Sequence, residues 1–362
     1  MPRAIDRTLE PHYAWIAAGI ALAILYGSFF PFGFYLNHDP RGPLGILLHS
    51  GFRPSSRDDV VSNILLYIPF GFFVACALQR RAVISAAAAG FALSLFVEVF
   101  QFYDLGRFQE LTDVCSNTLG AMLGGIGAAV ALRRVKSVYL ALLLACWFAS
   151  RCYPASRPAA ASIPVLDFCR YFAAWLAVGL MLEAFANLSR SRVALPVFLA
   201  ASLLLRALTA YTEPAEIAGG AAAVLLWSGW LWRLEARATI VAALMTALVI
   251  LLALAPFHFL ATPRAFSWVP FGSFLGSPPG PAIRVFFEKS FLYGGLVWLA
   301  VRAGFSIGVA AASGAILELG LRLLQVYLPG RSAEVTDAML VLMLAAMMKL
   351  SALALENQAD SA

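Results

Sequence analysis

Residues 59–78 read DVVSNILLYIPFGFFVACAL, and this stretch decides the fold because a long apolar run follows a short polar opening. The pattern continues with an apolar run that ends near Gln101, a short polar link, and a glycine-rich run that begins at Asp113. Each apolar run is about 20 residues long, which is the length an α-helix needs to cross the hydrocarbon core of a bilayer. Residues 59–125 therefore predict membrane helices whose few polar residues lie near the helix ends.

The composition extends this prediction to the whole chain. Of the 362 residues, 61% are hydrophobic and 13% are charged, and the mean hydropathy is +0.81. A soluble domain carries about 25% charged residues. We therefore predict an all-α, polytopic membrane protein that contacts the lipid bilayer along its whole length. The net charge of +6 comes from basic residues in loops between apolar runs, which is typical of membrane topology and does not indicate a nucleic-acid partner.

About twelve apolar runs are predicted as transmembrane helices, grouped in units of four. The first unit covers residues 13–135, a middle helical region covers 136–235, and a last unit covers 239–356. The run at 138–149 is the weakest of the twelve because it is short for a span. The first run is expected to act as an uncleaved signal-anchor, since no small-residue cleavage site follows it.

An internal repeat relates the first and last units. Residues 101–113 (QFYDLGRFQELTD) and residues 325–337 (QVYLPGRSAEVTD) are identical at seven of thirteen positions, at a constant offset of 224. Self-similarity of this kind indicates tandem structural units. A decayed third copy in the middle region is an open alternative, because residues 205–211 resemble residues 321–327.

A smaller repeat lies inside the first unit, where DVVSN at 59–63 is echoed by DVCSN at 113–117. Each segment begins an apolar helix, and an aspartate there satisfies free backbone N–H groups and complements the helix dipole. The asparagine lies one turn further along the same helix face. Two interpretations are open: two well-capped helix starts, or two polar faces that meet in one pocket.

The loop charges predict the orientation of the helices. Adjacent basic residues recur in the short loops on one side, as at Arg80-Arg81 and Arg133-Arg134. Basic residues on the other side lie mostly in longer loops, which influence topology less. Both termini are therefore expected in the cytoplasm, and Arg107 and Asp113 on the outer face of the membrane.

Polar residues at the ends of the apolar runs form the candidate site. Glu98 and Gln101 share one helix face. A carboxylate in a membrane helix is costly and by default faces the helix bundle with a partner, and Arg107 on the next loop is the expected partner. Both a structural ion-pair network and a ligand pocket fit this pattern. The complete candidate set is Asp59, Asn63, Glu98, Gln101, Arg107, Asp113 and Asn117.

The last unit keeps the repeated loop but loses the candidate polar face. Arg322 stands in the place of Glu98, and the two asparagines are replaced by Lys289 and Val341. Glu318 precedes Arg322 by one turn and is predicted to pair with it. We therefore interpret the last unit as structural and place any site in the first unit.

Motifs for other chemistry are absent from the sequence. The four histidines are scattered without metal-ligand spacing, and the five cysteines contain no CxxC pair. No serine-hydrolase motif and no phosphate-binding glycine loop is present. We therefore predict no cofactor and no metal site, and we assign Gly120 and Gly124 to close helix packing.

Several motifs, in their expected order, resemble the VanZ-like family of bacterial membrane proteins. The resemblance covers residues 15–130 well and residues 240–350 in part. It implies an integral membrane unit of four to five helices in the bacterial inner membrane, with a role in the cell envelope and no assigned reaction. The family's namesake is associated with resistance to glycopeptide antibiotics of the teicoplanin type. The motifs are Asp59-x-x-x-Asn63, Leu66-Tyr67-x-Pro69-Phe70-Gly71-Phe72, Glu98-x-x-Gln101, Arg107 and Asp113-x-x-x-Asn117-x-x-Gly120-x-x-x-Gly124.

Three functions are open on this basis. The first is a non-enzymatic envelope protein that binds a cell-wall precursor or a lipid-linked ligand at an outward-facing polar pocket. The second is a transporter or flippase, which tandem repeats favour but the scarcity of polar residues below Glu98 disfavours. The third is a membrane-embedded hydrolase or transferase that uses Glu98 and Asp113 as acid and base.

Overall fold

The computed structural model describes residues 11–52, 56–79, 81–131, 137–152, 164–185, 191–209 and 213–360. The end of the 205–211 segment, used above for the middle copy, lies outside these ranges. Many basic residues that bear on the predicted orientation also lie outside them: Arg3, Arg7, Arg53, Arg80, Arg133, Arg134, Lys136, Arg157 and Arg190.

Within the described ranges, all regular structure is helical and no strand forms. Each of the twelve predicted apolar runs is a helix, and two short helices that the sequence analysis did not predict, α2 and α11, lie in the loops after α1 and α10. The helices are α1 (Pro11–Phe29), α2 (Gly42–Ser50), α3 (Arg57–Leu78), α4 (Ala82–Gln101), α5 (Leu111–Ala131), α6 (Val138–Cys152), α7 (Val165–Phe185), α8 (Ala194–Thr209), α9 (Pro214–Gly229), α10 (Arg237–Leu254), α11 (Gly272–Leu275), α12 (Pro279–Arg302), α13 (Ile307–Leu324) and α14 (Thr336–Asp360).

Seven of these helices are long and apolar enough to cross a membrane: α1, α3, α4, α7, α10, α13 and α14. The other predicted spans are shorter, such as α6 with 15 residues, or less apolar. Large apolar side chains such as Leu22 and Ile84 are exposed on the helix surfaces, where lipid tails solvate them. The protein is therefore an all-α, polytopic membrane protein, as predicted, while the total of twelve spans stays a prediction.

The chain forms two compact units. Unit 1 consists of residues 1–138 with the short segments 278–280 and 350–362, and unit 2 consists of residues 139–277 and 281–349. The predicted boundary near residue 236, between the middle region and the last third, lies within unit 2.

A common core explains why the middle region and the last third form one unit. Buried apolar side chains from α6 to α14 join in a single cluster. Within it, the ring of Trp147 packs 4.7 Å from that of Phe291, and the Tyr139 hydroxyl donates to the Gly294 carbonyl at 3.0 Å. Contacts between residues so far apart in sequence cannot be read from local hydrophobic periodicity.

In unit 1, α3 and α5 pack with their backbones almost in contact. A Cβ atom added at Gly120 would overlap the Ile64 carbonyl oxygen, and one at Gly124 would overlap that of Ile68. Gly71 approaches the Ala121 backbone in the same way from α3. The predicted packing role of the α5 glycines is confirmed, and this packing fixes the ends of α3 and α5 beside each other.

The loops that follow α1 and α10 share several backbone features. Phe32 and Phe257 both have left-handed backbone conformations, with φ of 65° and 61°. The Tyr35 N–H donates to the Tyr103 carbonyl at 2.8 Å, and the Leu260 N–H donates to the Tyr327 carbonyl at 2.6 Å. Tyr103 and Tyr327 are separated by the same 224 residues as the sequence repeat.

Candidate functional site

The candidate site lies in unit 1, where α3 begins, α4 ends and α5 begins. Glu98 is in the last turn of α4 and is only 2% exposed. Its Oε2 accepts a hydrogen bond from the backbone N–H of Glu110 at 2.9 Å. The Gln109 amide donates to the Glu98 carbonyl at 2.5 Å. The link between α4 and α5 is thereby folded over the Glu98 side chain.

Asp113 lies in the first turn of α5 and interacts with the side chain of Asn63 on α3. The two DxxxN motifs therefore meet through the asparagine of the first and the aspartate of the second. The carboxylates of Glu98 and Asp113 are close enough to repel each other. The helices α3, α4 and α5 thus each contribute a polar side chain to the same site.

Asn117 lies one turn below Asp113 and is 5% exposed. Its Nδ2 donates to the Ser94 hydroxyl on α4 at 2.9 Å, and Ser94 is also hydrogen-bonded by the buried Tyr67 of α3. The Asn117 Oδ1 has no hydrogen-bond partner among the described residues. The Asn117 amide therefore adds a buried polar group one helical turn beyond Asp113.

Asp59 has a local role at the start of α3. Ser56 is the N-cap residue, and its hydroxyl accepts from the Asp59 N–H at 3.1 Å while donating to the Asp59 carboxylate at 2.7 Å. This reciprocal arrangement resembles a capping box. Ser56, and not Asp59, therefore caps the backbone at this helix start, and Asp59 supports the cap through the Ser56 hydroxyl, whereas Asn63 one turn further on interacts with Asp113.

Arg107 does not occupy the position predicted for it. Its Nη2 donates to the Phe30 carbonyl, just after α1, at 3.0 Å. In the part of the chain that the structure describes, no ion pair joins Arg107 to Glu98. The expectation fails because carbonyls just after a helix C-terminus lack helical partners and compete for a guanidinium.

The repeated arginine of unit 2 behaves in the same way. Arg331, 224 residues after Arg107, donates from Nε to the Ala255 carbonyl at 2.8 Å and from Nη2 to the Leu252 carbonyl at 3.1 Å. Ala255 and Phe30 each follow the last residue of a helix. We conclude that the repeated Gly-Arg loop serves the fold in both places.

The sequence predicts Gln101 as a site residue but does not indicate its neighbour Asp104. Gln101 ends α4 half-buried, and its side chain has no hydrogen bond among the described residues. Asp104 is 2% exposed, and neither of its carboxylate oxygens has a hydrogen-bond partner within the described ranges. No sequence signal singles out Asp104, because an aspartate in a polar link is usually solvated.

The carboxylates of the site have acidic neighbours. Within the described ranges, neither Glu98 nor Asp113 forms an ion pair. Asp113 has Glu110 and Asp59 as further acidic neighbours. Glu98 is buried and Asp113 is partly buried, and an ionised carboxylate withdrawn from water without a cation is costly.

The corresponding region of unit 2 is neutralised from within. Arg322 lies 3.0 Å from the Glu318 carboxylate, and its Nε lies 2.8 Å from Asp337. Lys289 Nζ approaches both Asp337 oxygens, at 2.7 and 3.0 Å. Arg322 also donates to the Gln325 side chain at 2.7 Å. The predicted pairing of Glu318 with Arg322 is confirmed, and each of the two carboxylates in this cluster has a basic partner.

A second buried ion pair lies between α6 and α9 of unit 2. Arg151 Nε is 2.8 Å from the Glu216 carboxylate. The Arg151 guanidinium also lies 4.0 Å from the Trp147 ring centroid and 4.4 Å from that of Tyr171. A guanidinium held by a carboxylate and two aromatic faces is well satisfied.

Glu213, just before α9, belongs to the same polar region. It accepts a hydrogen bond from Tyr171 at 2.8 Å. Burial opposes ionisation of this carboxyl, but the Tyr171 hydroxyl and the charges of Arg170 and Arg284 outweigh burial and lower the pKa of Glu213. This region is therefore also self-compensated.

Comparisons with known proteins match the N-terminal part of the chain. Residues 20–132 match the model of the VanZ/LLP1 family. Protein VanZ of Enterococcus faecium is 30% identical over 66 residues, which are 18% of this chain and 41% of that protein. The chain thus spans less than half the length of this curated relative. No solved structure matches.

Proposed function

From the VanZ-like region at residues 20–132, we propose that this protein acts in the cell envelope by binding a cell-wall precursor or a lipid-linked ligand at the polar site of unit 1. The observation that carries the proposal is the pair of the buried Glu98 and the partly buried Asp113, which no cation of the described chain neutralises. Intramembrane carboxylates of this kind usually mark a functional site.

The proposed orientation places this site on the outer face of the bacterial inner membrane. The basic residues in the short loops of the opposite side support it. An outward site would meet cell-wall precursors after they cross the membrane.

The proposed arrangement of the chain is that of tandem units, of which only the first keeps a binding site. The matched loop contacts of Arg107 and Arg331 support a common design for the first and last parts. The ion pairs of Arg322 support a structural role for the last part.

Teicoplanin susceptibility of a sensitive bacterial host provides the test. We expect the wild-type protein to lower susceptibility, and Glu98→Gln and Asp113→Asn to lose this effect while the amount of folded protein in the membrane is unchanged. Arg331→Lys, far from the site in sequence, is the control for general damage. Wild-type behaviour of both site variants would contradict the proposal.

The same variants address the enzymatic alternative, in which Glu98 and Asp113 act as acid and base. Mass spectrometry of lipids that co-purify with the protein separates the two functions. A binding protein releases its ligand chemically unchanged, whereas an enzyme yields a modified product that Glu98→Gln abolishes.

A further inference from the structure

The carboxylate site of unit 1 has a counterpart inside the same chain. Asp337 begins α14 as Asp113 begins α5, and Tyr293 on α12 corresponds to Tyr67 on α3. Counting back one turn from each tyrosine gives Lys289 in unit 2 and Asn63 in unit 1. The two clusters can therefore be compared position by position.

In unit 2, an ammonium group occupies the place next to the aspartate. Lys289 Nζ lies 2.7 Å from one Asp337 oxygen and 3.0 Å from the other. In unit 1, the shorter and neutral Asn63 stands at this position, and Asp113 receives no ammonium from the described chain. Asp337 is thus satisfied by two cations, the Lys289 ammonium and the Arg322 guanidinium, and the ammonium is the one that stands at the position of Asn63.

A buried acceptor in unit 1 provides a second observation. The Asn117 Oδ1 is without a partner among the described residues, although the side chain is 5% exposed. An unpaired buried amide oxygen is unfavourable. Unit 2 has Val341 at this position and lacks this amide acceptor, although Glu318 Oε1 in its cluster is also without a hydrogen-bond partner among the described residues. The additional acceptor in unit 1 indicates a ligand with more than one N–H.

The donor count of a primary ammonium fits these acceptors. An ammonium group has three N–H donors and no acceptor. The carboxylates of Glu98 and Asp113 and the amide oxygen of Asn117 together offer three acceptors on two adjacent helices. A metal ion fits less well, because no group of three or more His, Cys, Asp and Glu residues in the described ranges is arranged as a metal site.

We propose that the unit 1 site binds a primary ammonium group between Glu98 and Asp113, with Asn117 as the third acceptor. This ligand class rests on the proposed function and specifies it: the envelope component that unit 1 binds carries a primary amine. The source is either an aminated lipid headgroup or the amine of a soluble cell-wall fragment.

Thermal unfolding of the purified full-length protein in detergent tests this ligand class, with ethanolamine as the probe. We expect ethanolamine to raise the Tm by about 2–4 °C at concentrations several times its Kd. Glycerol and sodium chloride at equal concentration are the controls for solvent and ionic strength. The proposal is overturned if both controls give the same shift, or if Glu98→Gln and Asp113→Asn keep the full ethanolamine shift.

Asn63→Lys is the sharper test because it copies the arrangement of unit 2. The new side chain would place an ammonium on Asp113, so we expect a higher Tm without ligand and no further shift with ethanolamine. Asn63→Gln, which is neutral, should keep the ethanolamine shift. A full ethanolamine shift in a folded Asn63→Lys variant would contradict the proposal. If Asn63→Lys does not fold, the ethanolamine shifts of Glu98→Gln and Asp113→Asn provide the test.

Native mass spectrometry distinguishes the two sources of the amine. Phosphatidylethanolamine bound in preference to phosphatidylglycerol, with loss in Glu98→Gln, would identify a lipid headgroup. A lysine-containing muropeptide bound in preference to its acetylated form would identify a soluble fragment. Equal binding of aminated and amine-free ligands would overturn the assignment of a primary amine. The proposed function is a separate question, and it is refuted only if the site variants also leave teicoplanin susceptibility unchanged.

Discussion

At the scale of single residues, the chain uses its buried charges in two different ways. Asp337 has two cations within 3.0 Å, whereas Asp113 has an asparagine and acidic neighbours. The difference in residue type between these positions is visible in the sequence, where Lys289 and Arg322 stand in the places of Asn63 and Glu98. The partners of Arg107 could not be predicted from the sequence, because a flexible guanidinium reaches many acceptors and the choice depends on the three-dimensional position of the Phe30 carbonyl.

Removing the charge of Asp337 should destabilise the protein far more than the same change at Asp113. Asp337→Asn removes the carboxylate partner of Lys289 and leaves Glu318 as the one carboxylate beside Arg322 in the described chain, and breaking a buried pair costs about 3–5 kcal/mol. Asp113→Asn breaks no ion pair of the described chain and relieves repulsion with Glu98. Denaturant unfolding of both variants without ligand checks this, and equal losses would show that Asp113 has a structural cation.

Arg331→Ala should also cost more stability than Arg107→Ala. Arg331 makes two hydrogen bonds to carbonyls at the end of α10, and Arg107 makes one from an exposed position. Hydrogen bonds from charged groups contribute about 1.5–3 kcal/mol each when buried, and exposure reduces this contribution. Unfolding measurements should rank the two variants in this order, and the reverse order would refute the assigned role of the loop arginines.

At the scale of helices, the prediction from sequence is closest to the structure. The apolar runs gave nearly all the long helices because burial in lipid leaves the backbone no alternative to helix formation. The short helices α2 and α11 were missed, since four to nine residues carry too little periodicity to indicate a helix. The glycine pattern of α5 predicted close packing correctly but could not identify α3 as the neighbour.

Gly120→Ala should weaken the pairing of α3 and α5, while Gly127→Ala should not. A methyl group at Gly120 would overlap the Ile64 carbonyl, whereas at Gly127 it would meet the Phe72 ring at an ordinary 3.7 Å. We expect a loss of about 1–3 kcal/mol for Gly120→Ala and no loss for Gly127→Ala, since alanine favours a helix. Thermal stability in detergent checks the pair, and equal Tm values would contradict close packing at Gly120.

At the scale of the whole molecule, the fold class and the position of the region similar to the VanZ/LLP1 family can be predicted from the sequence. The division of the chain into two compact units cannot be predicted in this way. Unit 2 joins regions that hydropathy separates, because its core depends on contacts such as that of Trp147 with Phe291. The number of spans also depends on helices such as α6 with 15 residues, whose length alone does not decide whether they cross.

Cysteine accessibility tests the proposed topology. Phe108 is 84% exposed, and Ser332, 224 residues later, is exposed too. In a background without the native cysteines, Phe108→Cys and Ser332→Cys should both react with an impermeant reagent on intact cells. Reaction at Phe108→Cys alone would mean an odd number of spans between the two loops. Protection of both until lysis would reverse the orientation.

The glycine contacts between α3 and α5 have a mechanical consequence for selectivity. Asp113, one of the two carboxylates of the proposed site, lies on α5, whose backbone touches that of α3 at Gly120 and Gly124, so this close packing restrains one side of the site. A site restrained in this way is sensitive to the size of its ligand. Each methyl group added to a bound ammonium removes one N–H donor and increases the volume of the group. If unit 1 binds an ammonium group as proposed, we therefore expect it to favour a primary ammonium over a trimethylated one of the same charge.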